Sequence, residues 1–123
     1  MYNNLSPAEE ARRIEEERIK LLDCLAYYKE RAEMVLETID SRRKGIEELI
    51  ERGYDVHDHE LSHAKAVLNY TIDDYDYAVE AVHHIEEELG LPLTPYESIP
   101  HVDAREVPEG YKVKEWDHPH VLL

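Results

Sequence analysis

Apolar residues recur along the first half of the chain at alternating spacings of three and four, the period of a helix that packs along one stripe. Residues 6–9 (Ser-Pro-Ala-Glu) precede this pattern and have the residues of a capping box with proline at the first helical position. Gly53 follows it and suits a helix end. The pattern predicts a first helix over about residues 8–52. Its stripe positions are Ala11, Ile14, Arg18, Leu21, Leu25, Tyr28, Ala32, Val35, Ile39, Arg42, Ile46 and Leu49.

A second stripe with the same spacing begins shortly after the first one ends and predicts a helix over about residues 57–89. Its positions are Leu61, Ala64, Leu68, Thr71, Tyr75, Ala78, Val82, Ile85 and Leu89. Gly90 and Pro92 end it. Two helices joined by only about four residues must lie antiparallel. The predicted fold class is therefore all-α, a long antiparallel helical hairpin of the coiled-coil type that occupies residues 1–89.

Both stripes are wider than a two-helix contact requires. The additional apolar residues are Leu22, Leu36, Ile50, Val67, Ile72 and Val79. A second copy of the chain would cover them by completing a four-helix bundle, so we expect a homodimer.

Residues 90–123 contain five prolines and have no helical period, which predicts an extended C-terminal tail. Residues 107–113 could form a small β-hairpin around Glu109-Gly110. Trp116 and the apolar end at 121–123 offer anchors. We expect the tail either to pack along the overhanging N-terminal part of the first helix or to bind a partner.

The composition narrows the function classes. The formal net charge of −15 repels phosphate backbones and anionic lipid surfaces, so direct binding to nucleic acid or membranes is not expected. The chain has no apolar run of membrane-spanning length and does not begin like a signal peptide. Cys24 is the only cysteine, which rules out an internal disulfide. These features predict a cytoplasmic protein without a cofactor.

The negative charge is concentrated on the second helix. Residues 54–89 contain ten acidic residues and one basic residue, Lys65, whereas the first helix has thirteen acidic and ten basic residues. One row along the second helix reads His63, Ala66, Tyr70, Asp73, Tyr77, Glu80, His84 and Glu87, with Asp76 beside it. Such a charge run is commonly a solvated face, but solvated helices usually balance their charges, and tyrosines are typical interface anchors.

This row predicts a non-enzymatic interaction protein that binds a basic surface of another protein, such as a nucleic-acid-binding protein. In charge and size the chain resembles small inhibitors that imitate the charge of DNA. The residues predicted to bind the partner are Tyr70, Asp73, Asp76, Tyr77, Glu80, His84 and Glu87.

The alternative function is that of a metal-binding protein or a metal-dependent enzyme such as a hydrolase. Residues 59–63 (His-Glu-Leu-Ser-His) match HExxH, so His59 and His63 are the candidate metal ligands. The motif lies at the start of a helix, and carboxylates or histidines 20 or more residues further along that helix would lie about 30 Å away. The pairs Glu60-x-x-His63 and Glu80-x-x-His83 have the spacing of di-iron bundle ligands but lie off the stripe. The remaining alternative is a structural oligomeric subunit.

Two further spacings resemble those of all-α enzymes. Glu48-x-x-Glu51 with Asp73-x-x-Asp76 is similar to the carboxylate pattern of MazG-type nucleotide pyrophosphohydrolases. The antiparallel register separates the two pairs by about 20 Å or more, which argues against a shared magnesium site. The spacing Arg52-x4-His57 is similar to that of HEPN ribonucleases, but a chain this rich in Arg and His contains such a spacing by chance.

Overall fold

The computed structural model describes residues 6–55 and 57–103. It contains two α-helices, α1 (Pro7–Glu51) and α2 (His59–Leu89), packed against each other, and no strand within the described ranges. The predicted all-α hairpin is therefore confirmed. Neither helix in this part of the chain combines the length and apolar character needed to cross a membrane.

The helix ends follow from local chemistry. Ser6 and Glu9 form a capping box, in which the Glu9 backbone N–H donates to Ser6 Oγ and the Ser6 N–H donates to the Glu9 carboxylate, both at 3.1 Å. The chain leaves the two helices through Gly53 and Gly90, whose φ angles of 98° and 70° lie in the left-handed region that favours glycine.

The apolar stripes meet along the seam between the helices. Ile39 shares a buried cluster with Leu68 and Ile72, whereas Leu25 lies in a second cluster with Val82 and Ile85. Early residues of α1 thus pack against late residues of α2, as an antiparallel pair requires.

The first turns of α1 extend beyond α2. α1 has 45 residues and α2 has 31, and the residues from 7 to 20 are all exposed. This overhang, residues 7–20, is about 20 Å long at the helical rise. Ile14 at a stripe position is 54 % exposed there, because α2 does not reach it.

Residues 91–103, which we call the strap, run back along α2 in an extended conformation. Three contacts set the direction. The Thr94 backbone N–H donates to the Glu86 carboxylate at 2.9 Å, and the Tyr75 hydroxyl donates to the Glu97 carbonyl at 3.1 Å. Asn69 pairs with Val102, its amide donating to the carbonyl at 2.9 Å and its Oδ1 accepting from the N–H at 2.8 Å.

The strap performs part of the covering that the sequence pattern assigns to a second copy, while Leu22 and Ile50 stay exposed. Ile99 is buried in the cluster of Leu68 and Ile72, and the strap residues Tyr96 and Val102 pack against the same cluster. Leu36 and Val79 also contact it. Neither predicted position of the tail, along the overhang or free for a partner, applies to residues 91–103. The predicted hairpin at 107–113 lies outside the described residues.

The burial of Ile99 yields a stability prediction. Ile99→Ala should lower the free energy of unfolding by about 2 to 4 kcal/mol, since it removes a buried side chain and leaves a cavity. Urea denaturation followed by circular dichroism measures the change. Leu93→Ala is the control because Leu93, also in the strap, is half exposed; its effect should stay within about 0.5 kcal/mol. Equal effects of the two variants would show that the strap does not belong to the cooperative core.

Candidate functional site: the exposed face of α2

The residues predicted to bind a partner lie on one face of α2. All seven are exposed: Tyr70, Asp73, Asp76, Tyr77, Glu80, His84 and Glu87. From Tyr70 to Glu87 this face is about 25 Å long at 1.5 Å per residue. The row is interrupted at its beginning, because Ala66 is buried rather than solvent-facing.

Several of these side chains have neighbours. The Asp73 carboxylate lies 2.7 Å from Nε2 of His101 in the strap. His84 Nε2 lies 3.2 Å from the Glu88 carboxylate one turn further along α2. The strap therefore borders the acidic face at Asp73, a contact that the helical pattern of α2 alone could not indicate.

Tyr77 belongs to a cluster of three tyrosines that spans both helices. Its ring centroid lies 6.3 Å from that of Tyr28 on α1, at an interplanar angle of 73°. The rings of Tyr28 and Tyr27 are 5.1 Å apart at 81°. Both contacts have the edge-to-face geometry that aromatic rings prefer. A hydrogen bond with Tyr77 and the proximity of its hydroxyl raise the pKa of Tyr28.

The tyrosine cluster forms one wall of an open recess that Arg31 and Asp74 also line. Sequence reasoning identified Tyr77 but missed Tyr27, Arg31 and Asp74. The signal that could have found Tyr27 and Arg31 is the antiparallel register, which places residues 27–31 of α1 opposite this part of α2.

Most of the charge on α2 faces solvent. Among the ten acidic residues from 54 to 89, eight are exposed: Asp55, Glu60, Asp73, Asp74, Asp76, Glu80, Glu87 and Glu88. Asp58 is half-buried, and Glu86 is the buried exception. Most of these carboxylates are therefore in solvent rather than paired inside the fold, and they create a negative potential at the surface of α2.

Glu86 is only 2 % exposed. Burial alone raises the pKa of Glu86, but the side-chain and backbone hydrogen bonds from Thr94 and the nearby positive charge of Lys29 outweigh burial and hold it below the ordinary value. Lys29 Nζ lies 3.7 Å from the carboxylate. His83, whose Nε2 lies 2.7 Å from the Thr94 carbonyl, also lowers this pKa. The carboxylate therefore fastens the start of the strap.

The HExxH residues occupy the first turns of α2. His59 is the first helical residue. The Glu60 carboxylate accepts a hydrogen bond from the Tyr54 hydroxyl, and this bond raises the pKa of Tyr54. Ser62 is buried and His63 is half-buried. No group of three or more His, Cys, Asp or Glu side chains in the described ranges is placed to hold a metal ion. His83 belongs to the Glu-x-x-His spacing and Asp73 to the Asp-x-x-Asp spacing noted in the sequence. Both side chains contact the strap.

Comparison with protein-family models, with curated proteins and with solved structures finds no match to this chain.

The lowered pKa of Glu86 predicts a pH dependence of stability. A carboxyl whose pKa is depressed by folding stabilises the protein above its unfolded-state pKa of about 4.3, and that contribution is lost as the pH falls through the folded-state value. The difference in unfolding free energy between wild type and Glu86→Gln should therefore be largest near neutral pH and shrink below about pH 4. Urea titrations at a series of pH values measure it.

Glu87→Gln is the matched control for this series because it removes the adjacent, exposed carboxylate. We expect it to change stability by less than about 0.5 kcal/mol. A Glu86→Gln difference that does not vary with pH would show that the carboxylate charge does not fasten the strap.

Proposed function

We propose that this protein is a non-enzymatic, acidic helical interaction protein, and that the exposed face of α2 binds a basic surface of a partner protein. The observation that carries the proposal is the exposure of eight of the ten acidic residues from 54 to 89, a segment with one basic residue. The partner class that fits this field is a nucleic-acid-binding protein, whose basic surface an inhibitor resembling DNA in charge would occupy. The proposed compartment is the cytoplasm.

Unbalanced charge on a helix lowers its own stability, because like charges one turn apart repel. Asp73, Asp76 and Glu80 are exposed and lie three and four residues apart, the spacing at which this repulsion acts. A positive partner surface would relieve that repulsion and would be attracted from a distance.

Tyr70 and Tyr77 would supply the non-polar part of the interface. Tyr77 is 65 % exposed despite its size, and Tyr70 is also exposed. Tyrosine is enriched among residues that dominate binding energy, since a large rigid ring loses little conformational entropy on binding.

The proposed function predicts that binding depends on these side chains and weakens with salt. The quadruple variant Tyr70→Ala, Asp73→Asn, Asp76→Asn and Tyr77→Ala should raise the dissociation constant at least tenfold relative to wild type, roughly the loss of one tyrosine anchor worth 1 to 2 kcal/mol. A partner captured at low salt is identified, purified and titrated with both proteins at increasing NaCl. The wild-type affinity should fall steeply with salt because the Debye length shrinks.

The matched control removes as many carboxylates and exposed apolar side chains elsewhere on the chain. It carries Glu47→Gln, Glu48→Gln, Ile50→Ala and Leu93→Ala, all at exposed positions. His101→Ala tests separately whether Asp73 acts through the strap. If the quadruple variant binds as tightly as wild type, the face is a solvated helix surface and the proposed function is wrong.

We also propose that the chain forms a homodimer, through the exposed apolar side chains at the overhang end of α1. Four of the six residues that widen the stripes are at least partly covered within the chain, whereas Leu22 and Ile50 remain exposed. Ile14 and Ile19 on the overhang are exposed as well. Three of these four side chains lie on or next to the overhang, so a second copy fits best there.

Light scattering should give a mass near twice 14.5 kDa. Ile14→Glu should shift this value toward the monomer, because it places a charge where an apolar contact worth about 1.5 to 3 kcal/mol would form. Ile50→Glu, at the other end of α1, is the control and should leave the dimer intact. A wild-type protein that stays monomeric at micromolar concentration would disprove dimerisation.

A further inference from the structure

The recess between α1 and α2 faces away from the start of the strap, although the strap residue His101 contacts Asp73, next to the recess residue Asp74. Asp74 in its wall and His83 beneath the strap are nine residues apart, which is about two and a half helical turns. A ligand can therefore occupy the recess without displacing the start of the strap at Thr94.

The walls of the recess are mainly aromatic. Tyr27, Tyr28 and Tyr77 lie in edge-to-face contact, and Tyr27 and Tyr77 are 61 % and 65 % exposed. The face of an aromatic ring carries partial negative charge and attracts a cation within about 6 Å of its centroid. Three such rings beside a carboxylate, that of Asp74, form the kind of surroundings that retain a cationic side chain.

Arg31 also lines the recess, and its positive charge opposes a cation there. Asp74 in the same wall offsets that charge. The surrounding charge is negative: the other nine acidic residues from 54 to 89 are opposed within that segment only by Lys65, and residues 8–52 carry thirteen acidic and ten basic residues. The long-range field thus favours a positive ligand over a negative one.

We propose that the recess lined by Tyr27, Tyr28, Tyr77 and Asp74 binds an arginine side chain of the basic partner. This inference rests on the proposed function and names the contact that would anchor it. Arginine fits better than lysine, because a planar guanidinium can lie against a tyrosine ring while donating two hydrogen bonds to the Asp74 carboxylate.

The test uses a defined probe, the capped peptide Gly-Arg-Gly-Arg-Gly, and the same peptide with citrulline in place of arginine. NMR titration of the full chain should shift the ring resonances of Tyr27, Tyr28 and Tyr77 with the arginine peptide and much less with the citrulline peptide. Tyr77→Ala should raise the dissociation constant about three- to tenfold, whereas Tyr77→Phe, which keeps the ring, should stay within about twofold of wild type. Leu93→Ala is the control for loss of an exposed apolar side chain outside both the recess and the acidic face, and it should leave peptide binding unchanged.

Two variants that remove charges test whether the ligand of the recess is a cation. Asp74→Asn should weaken arginine-peptide binding about two- to fivefold, and Arg31→Gln should strengthen it by a similar factor, because one removes an attraction and the other a repulsion. The opposite pair of results, or equal binding of the arginine and citrulline peptides, would overturn the inference.

If the identified partner still requires the acidic face and salt still weakens its binding, the proposed function stands and only the arginine recess is wrong. If partner binding is insensitive to salt and to the quadruple variant, the acidic face of α2 does not bind the partner and the proposed function is wrong.

Discussion

The apolar seam between α1 and α2 is the contact on which the other features depend. A helix as acidic as α2 is not expected to be stable in isolation, because most of its charges are of one sign and few are balanced by i,i+4 pairs. Burial of Leu68, Ile72 and Tyr75 against Ile39 compensates for that repulsion. The seam can therefore hold a strongly charged outer face in a fixed conformation, which a disordered acidic segment could not do.

The strap adds a third element to what would otherwise be a two-helix contact. Two helices leave grooves on both sides of their seam, and the strap fills one of them by inserting Ile99 among residues of both helices. Its start is fixed by Glu86, a buried carboxylate that has backbone, hydroxyl and ammonium partners within the described structure. A buried charge of this kind is destabilising when its partners are removed, so it specifies the position of the strap as well as holding it.

The sequence allowed the hairpin to be predicted because its signal is local and repeated. Stripe spacing, the capping box and Gly53 and Gly90 all act within a few residues, and each is visible without knowledge of the fold. Of the two charged exceptions on the first stripe, Arg18 and Arg42, the former has a simple reason, since this stripe position lies on the overhang and stays exposed. The strap could not be predicted in this way. Its contacts join residues such as Asn69 and Val102, 33 positions apart, and an extended segment with prolines has no period that reveals its partner.

The candidate site was predictable to the same extent as the helix face that carries it. The spacing along α2 places Asp73, Asp76, Tyr77 and Glu80 on one exposed surface, but it cannot show what α1 contributes beside them. Tyr27 and Tyr28 lie beside this surface because of the antiparallel register of the helices. Arg31 adds a positive charge to the recess, a position that composition alone does not predict. In the proposed interaction, this charge would give the recess a different selectivity from the rest of the face. Along the open acidic row any cation is attracted, whereas next to Arg31 a cation must also gain from ring contact and from Asp74. Under the proposed function, the same helix would thus attract basic surfaces in general through its field and discriminate among them at one point.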